Sequence, residues 1–188
     1  METQFGLVPP QQAGYVEDVL AVQVIALAQA PAPAGRTAQR EMLSAVLAAP
    51  VSRRVLAVDG SGNDGLPAGF DHLAQRGGGL GERMAGALAD AYATMPLPML
   101  LIRADTLGVS PEMIEDAARS LVSGEADAVL GLRYDGGFWL LGLRRPDRSL
   151  VVGIPEAGQE AGAGRLLLDR LATAGMRVAL APSLDTSA

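Results

Sequence analysis

An α/β domain with a mostly parallel central sheet is what this chain predicts, on three observations. Short apolar runs alternate with helical stretches of 11 to 15 residues, the pattern of successive βαβ units. The runs carry little polar alternation, as strands covered on both faces should. Gly and Pro, 23 and 12 of them, fall between the runs and show no period. A length of 188 residues suits one domain, and 49 % hydrophobic residues suffice for a sizeable core. With only seven aromatic residues (one Trp, three Tyr, three Phe), that core rests on Leu, Val, Ile and Ala.

Residues 1–18, with Pro9, Pro10, Gln11, Gln12 and Gly14, read as a loosely ordered extension, leaving 19–188 as the domain. Val22-Gln23-Val24-Ile25-Ala26-Leu27 reads as a strand ending at a turn, Pro31 to Gly35. Thr37 to Ala49 reads as a helix, with Met42, Leu43, Val46 and Leu47 on one face and Pro50 as its stop. Val55-Leu56-Ala57-Val58 is a second strand, followed by a Gly/Asp-rich loop, Asp59 to Gly65. Leu80 to Thr94 is a helix, its Leu80, Met84, Ala87, Leu88 and Ala91 spaced three and four apart.

Met99-Leu100-Leu101-Ile102 is a third strand, apolar throughout. Ser110 caps the next helix, with Pro111 at its first position and Glu112 and Glu115 near the positive end of its dipole. Ala128-Val129-Leu130 and Phe138-Trp139-Leu140-Leu141 are strands joined across a Gly-Gly turn. Gly164 to Ala174 is helical, and Val178-Ala179-Leu180 closes the sheet.

Composition excludes several chemistries. The net charge is −6 and the basic residues form no patch, which argues against nucleic acid as a partner. All fifteen basic residues are Arg; without Lys there is no Schiff base and no lysine contact to phosphate. Without Cys there is no disulfide, thiol catalysis or thiolate metal site, and the lone His72, expected in a loop, cannot build a multi-histidine centre. No apolar run is long enough to span a membrane, and no basic residue precedes Arg36, so a cytoplasmic location is expected.

Open α/β sheets bind ligands beyond the carboxyl ends of their strands. Here those positions hold Gly35, Arg36, Asp59, Asp105 and Asp135. Carboxylates on one rim suit a hard cation such as Mg2+ or Mn2+, though single loop Asp residues also serve as turn formers. Gly60-Ser61-Gly62-Asn63-Asp64-Gly65 matches G-x-G-x-x-G, but Leu66-Pro67-Ala68-Gly69 follows where a dinucleotide fingerprint requires a helix. Gly77-Gly78-Gly79 at a helix entrance offers bare amides as an anion cradle, with Arg83 one turn on. A Gly-rich hinge with Glu82 and Arg83 on a solvated face is the alternative.

Several segments together resemble the GT-A-like transferases associated with radical-SAM and selenoprotein gene neighbourhoods, from about Val22 to the end. Gln75-Arg76-Gly77-Gly78-Gly79-Leu80-Gly81-Glu82-Arg83-Met84 is similar to that family's Q-G-x-G-D-L-G-E-R-M. Leu101-Ile102-Arg103-Ala104-Asp105-Thr106 stands where it has L-I-G-x-D-x-P. The stretch from Leu130 to Leu143, LGLRYDGGFWLLGL, resembles L-G-P-A-x-D-G-G-Y-Y-L-I-G-L, the longest and most specific match. Leu184-Asp185-Thr186 resembles the tail of a terminal D-x-D-T. The chain departs from the family as well. At the basic A-P-V-P-G-R-x-K-T-R-L loop the chain reads Ala30-Pro31-Ala32-Pro33-Ala34-Gly35-Arg36-Thr37 and the Lys-Thr-Arg-Leu core is missing, Gly79 replaces an Asp, and Arg103 and Leu107 replace the Gly and Pro around Asp105.

The resemblance implies a GT-A-like, three-layer nucleotide-diphospho-sugar transferase fold. It implies a nucleotide-activated sugar as donor, a small-molecule acceptor, and Mg2+ or Mn2+ held by Asp105 and Asp185. Asp135 would act as base or orienting acceptor. Gly136 and Gly137 would give a ligand room at the backbone, while Gly35, Arg36, Gly78, Gly79 and Arg83 would meet the phosphates. Two alternatives share the fold: a nucleotidyltransferase acting on a phosphorylated small molecule, and a non-catalytic binding protein that has lost the basic phosphate loop.

Overall fold

The computed structural model describes residues 18–28, 36–59, 67–156 and 161–185. Seven strands form one sheet: β1 (Leu20–Ala28), β2 (Val51–Val58), β3 (Asp71–Ala74), β4 (Met99–Arg103), β5 (Ala128–Arg133), β6 (Phe138–Leu143) and β7 (Val178–Leu184). Their order is β3-β2-β1-β4-β6-β5-β7. Among the described residues five helices accompany them: α1 (Arg36–Ala48), α2 (Leu80–Thr94), α3 (Pro111–Val122), α4 (Arg148–Val151) and α5 (Ala163–Thr173). Every pairing is parallel except those of β6, which runs antiparallel to both β4 and β5. The four residues between β5 and β6 are too few for a crossover helix, so the chain can only double back.

Two apolar layers make this a three-layer domain. One face of the sheet packs Ile25, Leu27 and Leu101 against Met84 and Leu88 of α2, Leu150 and Val151 of α4, and Leu167 and Leu171 of α5. The other packs Val24, Ala26, Leu100 and Ile102 against Met42 and Val46 of α1 and Ile114 and Leu121 of α3. Successive β1 and β4 residues thus serve opposite faces, which is why their sequences read as continuous apolar runs. β6 is buried along its whole length.

The expected helix caps form where the sequence places them. Ser110 is the N-cap of α3, its hydroxyl accepting the Met113 N–H at 3.3 Å, with Pro111 first in the helix. Two elements go beyond the sequence reading. His72 lies on the short edge strand β3, where a loop is expected; Arg53 of β2 holds that strand through Asp71 at 2.7 Å. A single turn, α4, follows Asp147, whose carboxylate accepts the Ser149 N–H at 2.9 Å. Among the described residues no helix is long and apolar enough to cross a membrane.

Candidate functional site

At the carboxyl end of the sheet, two corners of the chain have the same construction. β4 ends in Arg103-Ala104-Asp105 and β5 ends in Arg133-Tyr134-Asp135. In both, the strand ends at the arginine and the chain turns at once, bringing the aspartate two residues on within reach of the guanidinium. Arg103 binds its aspartate with two bonds, Nε to Asp105 Oδ1 at 3.2 Å and Nη2 to Oδ2 at 2.7 Å. Arg133 binds Asp135 through Nε at 3.2 Å and through Nη2, and the Gly137 N–H adds a third bond at 2.9 Å.

The two corners are then joined. Arg133 Nη1 reaches Asp105 Oδ2 at 3.2 Å, although β6 lies between β4 and β5. Phe138, the first residue of β6, supplies an aromatic face 5.5 Å below the Arg103 guanidinium. Both arginine side chains are 6 % exposed, whereas those of Asp105 and Asp135 are 43 % and 44 % exposed. The carboxylates therefore face solvent, and the guanidiniums form the floor beneath them.

Arg133, by its hydrogen bonds and then aided by Gly137, holds the Asp135 carboxyl below the usual carboxylate range, against the opposing effect of burial. A carboxylate held ionised in this way accepts hydrogen bonds well and takes up protons poorly. Because its folded pKa is depressed, the stability it lends is present above the unfolded value near ~3.9 and is lost as pH falls through the folded value. A carbon-13 carboxyl titration should place the Asp135 midpoint below that of an ordinary aspartate, and Arg133→Met should return it upward. An unchanged midpoint in Arg133→Met would show that the pair has no bearing on the ionisation.

The other expected residues separate into three groups. Asp185 comes to the same rim by its backbone: its carbonyl accepts the Leu107 N–H at 3.4 Å, and the Leu184 carbonyl accepts the Tyr134 N–H at 3.1 Å. Among the described residues no three His, Cys, Asp or Glu side chains are grouped so as to hold a metal ion. Arg36 opens α1 on the rim side and is exposed; Gly35 lies outside the described residues, as do 60–65 and most of the expected N-terminal extension. Asp59 follows β2 on the same edge and is exposed.

The expected anion cradle at α2 forms, but the protein fills it. Gly79 is the N-cap of α2, and the Leu80 N–H donates to Glu156 Oε1 at 2.6 Å. Arg83 Nη2 pairs with Glu156 Oε2 at 3.1 Å, while the Gly78 N–H donates to Glu82 at 3.0 Å. A carboxylate satisfies the helix dipole and its orphan amides as a phosphate would. The room expected over Gly136 is likewise taken. Gly136 adopts φ +90°, and its carbonyl accepts the Gly162 and Gly164 N–H groups at 3.3 and 3.1 Å. A Cβ on Gly164 would stand 2.5 Å from the Gly137 carbonyl oxygen. The glycine pair thus serves a tight turn packed on the start of α5.

Sequence reasoning missed Arg103 and Arg133 as site residues, and Glu156 altogether. For the arginines a signal was present: the same Arg-x-Asp triplet recurs at two strand ends. For Glu156 no local signal exists, because its partners Leu80 and Arg83 lie more than 70 residues earlier.

This architecture, with β6 reversed inside a parallel sheet and a polar rim at its carboxyl edge, defines the class: a GT-A-like fold of the nucleotide-diphospho-sugar transferase kind. The chain belongs to the family described as "Uncharacterized protein conserved in bacteria (DUF2064)", which matches residues 39–156. Among solved structures it is similar to a provisionally named nucleotide-diphospho-sugar transferase from Desulfovibrio desulfuricans G20. There the TM-score is 0.76 at 20 % identity, over 89 % of this chain and 82 % of that one.

The glucosyl-3-phosphoglycerate synthase of Mycobacterium tuberculosis, in complex with phosphoglyceric acid, gives a TM-score of 0.59 at 18 % identity over 90 % of this chain and 71 % of that one. The mannosyltransferase PcManGT of Pyrobaculum calidifontis, in complex with GDP-Man and Mn2+, gives 0.57 at 16 % over 89 % of this chain; the chain spans 57 % of that enzyme. At these identities the likeness is one of fold. No curated protein matches the chain.

Proposed function

We propose that residues 19–188 form one transferase-type domain that binds a nucleotide-activated sugar across the carboxyl edge of the sheet, with residues 1–18 as an extension. The single observation that carries this reading is the joined pair of carboxylates, Asp105 and Asp135, bridged by Arg133 at the edge where open α/β sheets take their ligands. Asp135, held ionised, is the orienting acceptor for a sugar or acceptor hydroxyl. Exposed Arg36 is the phosphate contact, and a phosphate at α2 would have to displace Glu156 from Gly79, Leu80 and Arg83. Transfer would break the bond from the anomeric carbon to the diphosphate oxygen and the acceptor O–H bond, form a bond from the anomeric carbon to the acceptor oxygen, and release a nucleoside diphosphate and a proton to solvent.

A divalent cation between Asp105 and Asp185 would belong to the same reading in its family form, and the GDP-Man complex of PcManGT holds Mn2+. The donor set does not favour it here, since both Asp105 oxygens already accept from guanidiniums. No step is therefore assigned to a metal. A second reading, binding without catalysis, is supported by the Glu156 carboxylate seated where a phosphate was expected.

Thermal unfolding against nucleoside diphosphate sugars and nucleoside triphosphates tests the proposal. A ligand at a hundred times its Kd adds about 2.7 kcal/mol, and at ~2–4 °C per kcal/mol the shift is easily measured. A shift with one diphosphate sugar identifies the donor. A shift with a triphosphate alone, with pyrophosphate as product, makes the protein a nucleotidyltransferase. A flat panel overturns the donor reading.

A further inference from the structure

The rim carries two negative and two positive side chains in one hydrogen-bonded set, and its geometry determines what it can hold. Asp105 accepts three bonds from two guanidiniums, and Asp135 accepts three from Arg133 and Gly137. A carboxylate offers about four lone-pair sites, so Asp135 retains roughly one for an outside partner. A hard divalent cation demands the opposite: several oxygens with uncompensated negative charge and no positive group beside them. At this rim two buried guanidiniums already bind the oxygens a cation would need.

The two arginines are also among the residues by which the chain departs from the family-like segments. Arg103 stands where L-I-G-x-D-x-P has Gly, and Arg133 stands where L-G-P-A-x-D-G-G has Ala. Both substitutions introduce a cation, and each cation binds the aspartate two residues on.

We infer that this rim works without a divalent metal: Arg103 and Arg133 supply the positive charge, and the exposed Asp135 carboxylate accepts from the hydroxyl groups of a sugar. The sugar assignment rests on the proposed donor reading; the exclusion of the cation does not. The ligand part that lies on the rim is then neutral and hydroxyl-rich. Its phosphates fall elsewhere, toward Arg36 and the start of α2.

Electron paramagnetic resonance titration of Mn2+ reads the cation directly, with no activity required. The wild-type protein should leave millimolar Mn2+ free. The Arg103→Gly/Arg133→Ala variant, which uncovers both carboxylates, should bind one ion per chain. A wild-type site of micromolar affinity that disappears in Asp105→Asn overturns the inference. So does a folded double variant, verified by circular dichroism, that gains no Mn2+. Should the double variant not fold, the wild-type titration still decides.

The nucleotide-sugar panel, repeated in EDTA, keeps this outcome apart from that of the donor reading. A thermal shift that survives EDTA supports both. A shift abolished by EDTA overturns the metal-free rim and leaves the donor reading standing. A flat panel with no bound Mn2+ overturns the donor reading and leaves the metal-free rim standing.

Discussion

Trp139→Ala should destabilise the protein by roughly 3–5 kcal/mol, the range for deleting a fully buried tryptophan. Trp139 has no exposed surface in the middle of the sheet, and its indole N–H donates to the Pro182 carbonyl at 2.9 Å. Gly131 on the neighbouring strand makes room for it, since a Cβ there would overlap the indole nitrogen. The alanine variant leaves a large cavity and strands the Pro182 carbonyl. Trp139→Phe keeps most of the apolar bulk and loses only the donor, so it should cost far less, about 1–2 kcal/mol.

The loss should reach the site as well. β7 continues from Pro182 to Leu184 and Asp185, whose carbonyls take the N–H groups of Tyr134 and Leu107. In Trp139→Phe the Tyr134 amide should exchange faster with solvent while the global stability stays high. Urea denaturation gives the first number and hydrogen exchange the second. An alanine variant within 1 kcal/mol of wild type, on the scale of ordinary surface changes of about 0.5 kcal/mol, would show that the indole is not the anchor.

Gly81→Ala should be the second large effect, and its sign opposes helix propensity. In an exposed helix interior, alanine for glycine gains about 1 kcal/mol. Gly81 is in the first turn of α2, where the chain leaving α4 passes against it. An added Cβ would overlap the Val151 carbonyl oxygen and stand 2.9 Å from the backbone nitrogens of Gly153 and Ile154. Backbone atoms cannot rotate aside as a side chain can, so overpacking of roughly 1–3 kcal/mol is expected. The segment pushed away leads within two residues to Glu156, so the Leu80–Glu156 and Arg83–Glu156 bonds should loosen together. An alanine variant as stable as wild type in urea would show that the α4 loop yields freely and that the close approach has no structural consequence.

Much of the fold was legible because its rules are local. The spacing of Leu80, Met84, Leu88 and Ala91 marks α2 with the bounds that the structure has, and Ser110-Pro111 marks the start of α3. β3 was not legible. Asp71-His72-Leu73-Ala74 has no strand-like pattern, and only pairing with β2 and the Arg53–Asp71 bond make it a strand. The candidate site divides in the same way. Sequence position alone puts Asp105 and Asp135 on one edge, because strand ends define that edge. It cannot show that Arg133 crosses over β6 to bind both, since the β6 insertion is a property of sheet order. Glu156 was invisible for the same reason, its helix partner being remote in sequence.

The pairing of charges at the rim also governs how a ligand arrives. Two Arg–Asp pairs set in alternation form a quadrupole-like array whose potential dies away over a few ångströms, faster than that of any single charge. The protein as a whole carries −6, so on the proposed reading an anionic nucleotide in solution would feel a weak net repulsion at long range. Capture then depends on random collision followed by short-range hydrogen bonding. The encounter rate of such a surface belongs near the unsteered value of about 10⁵–10⁶ M⁻¹s⁻¹, and selectivity arises from how long a ligand stays rather than from how fast it comes.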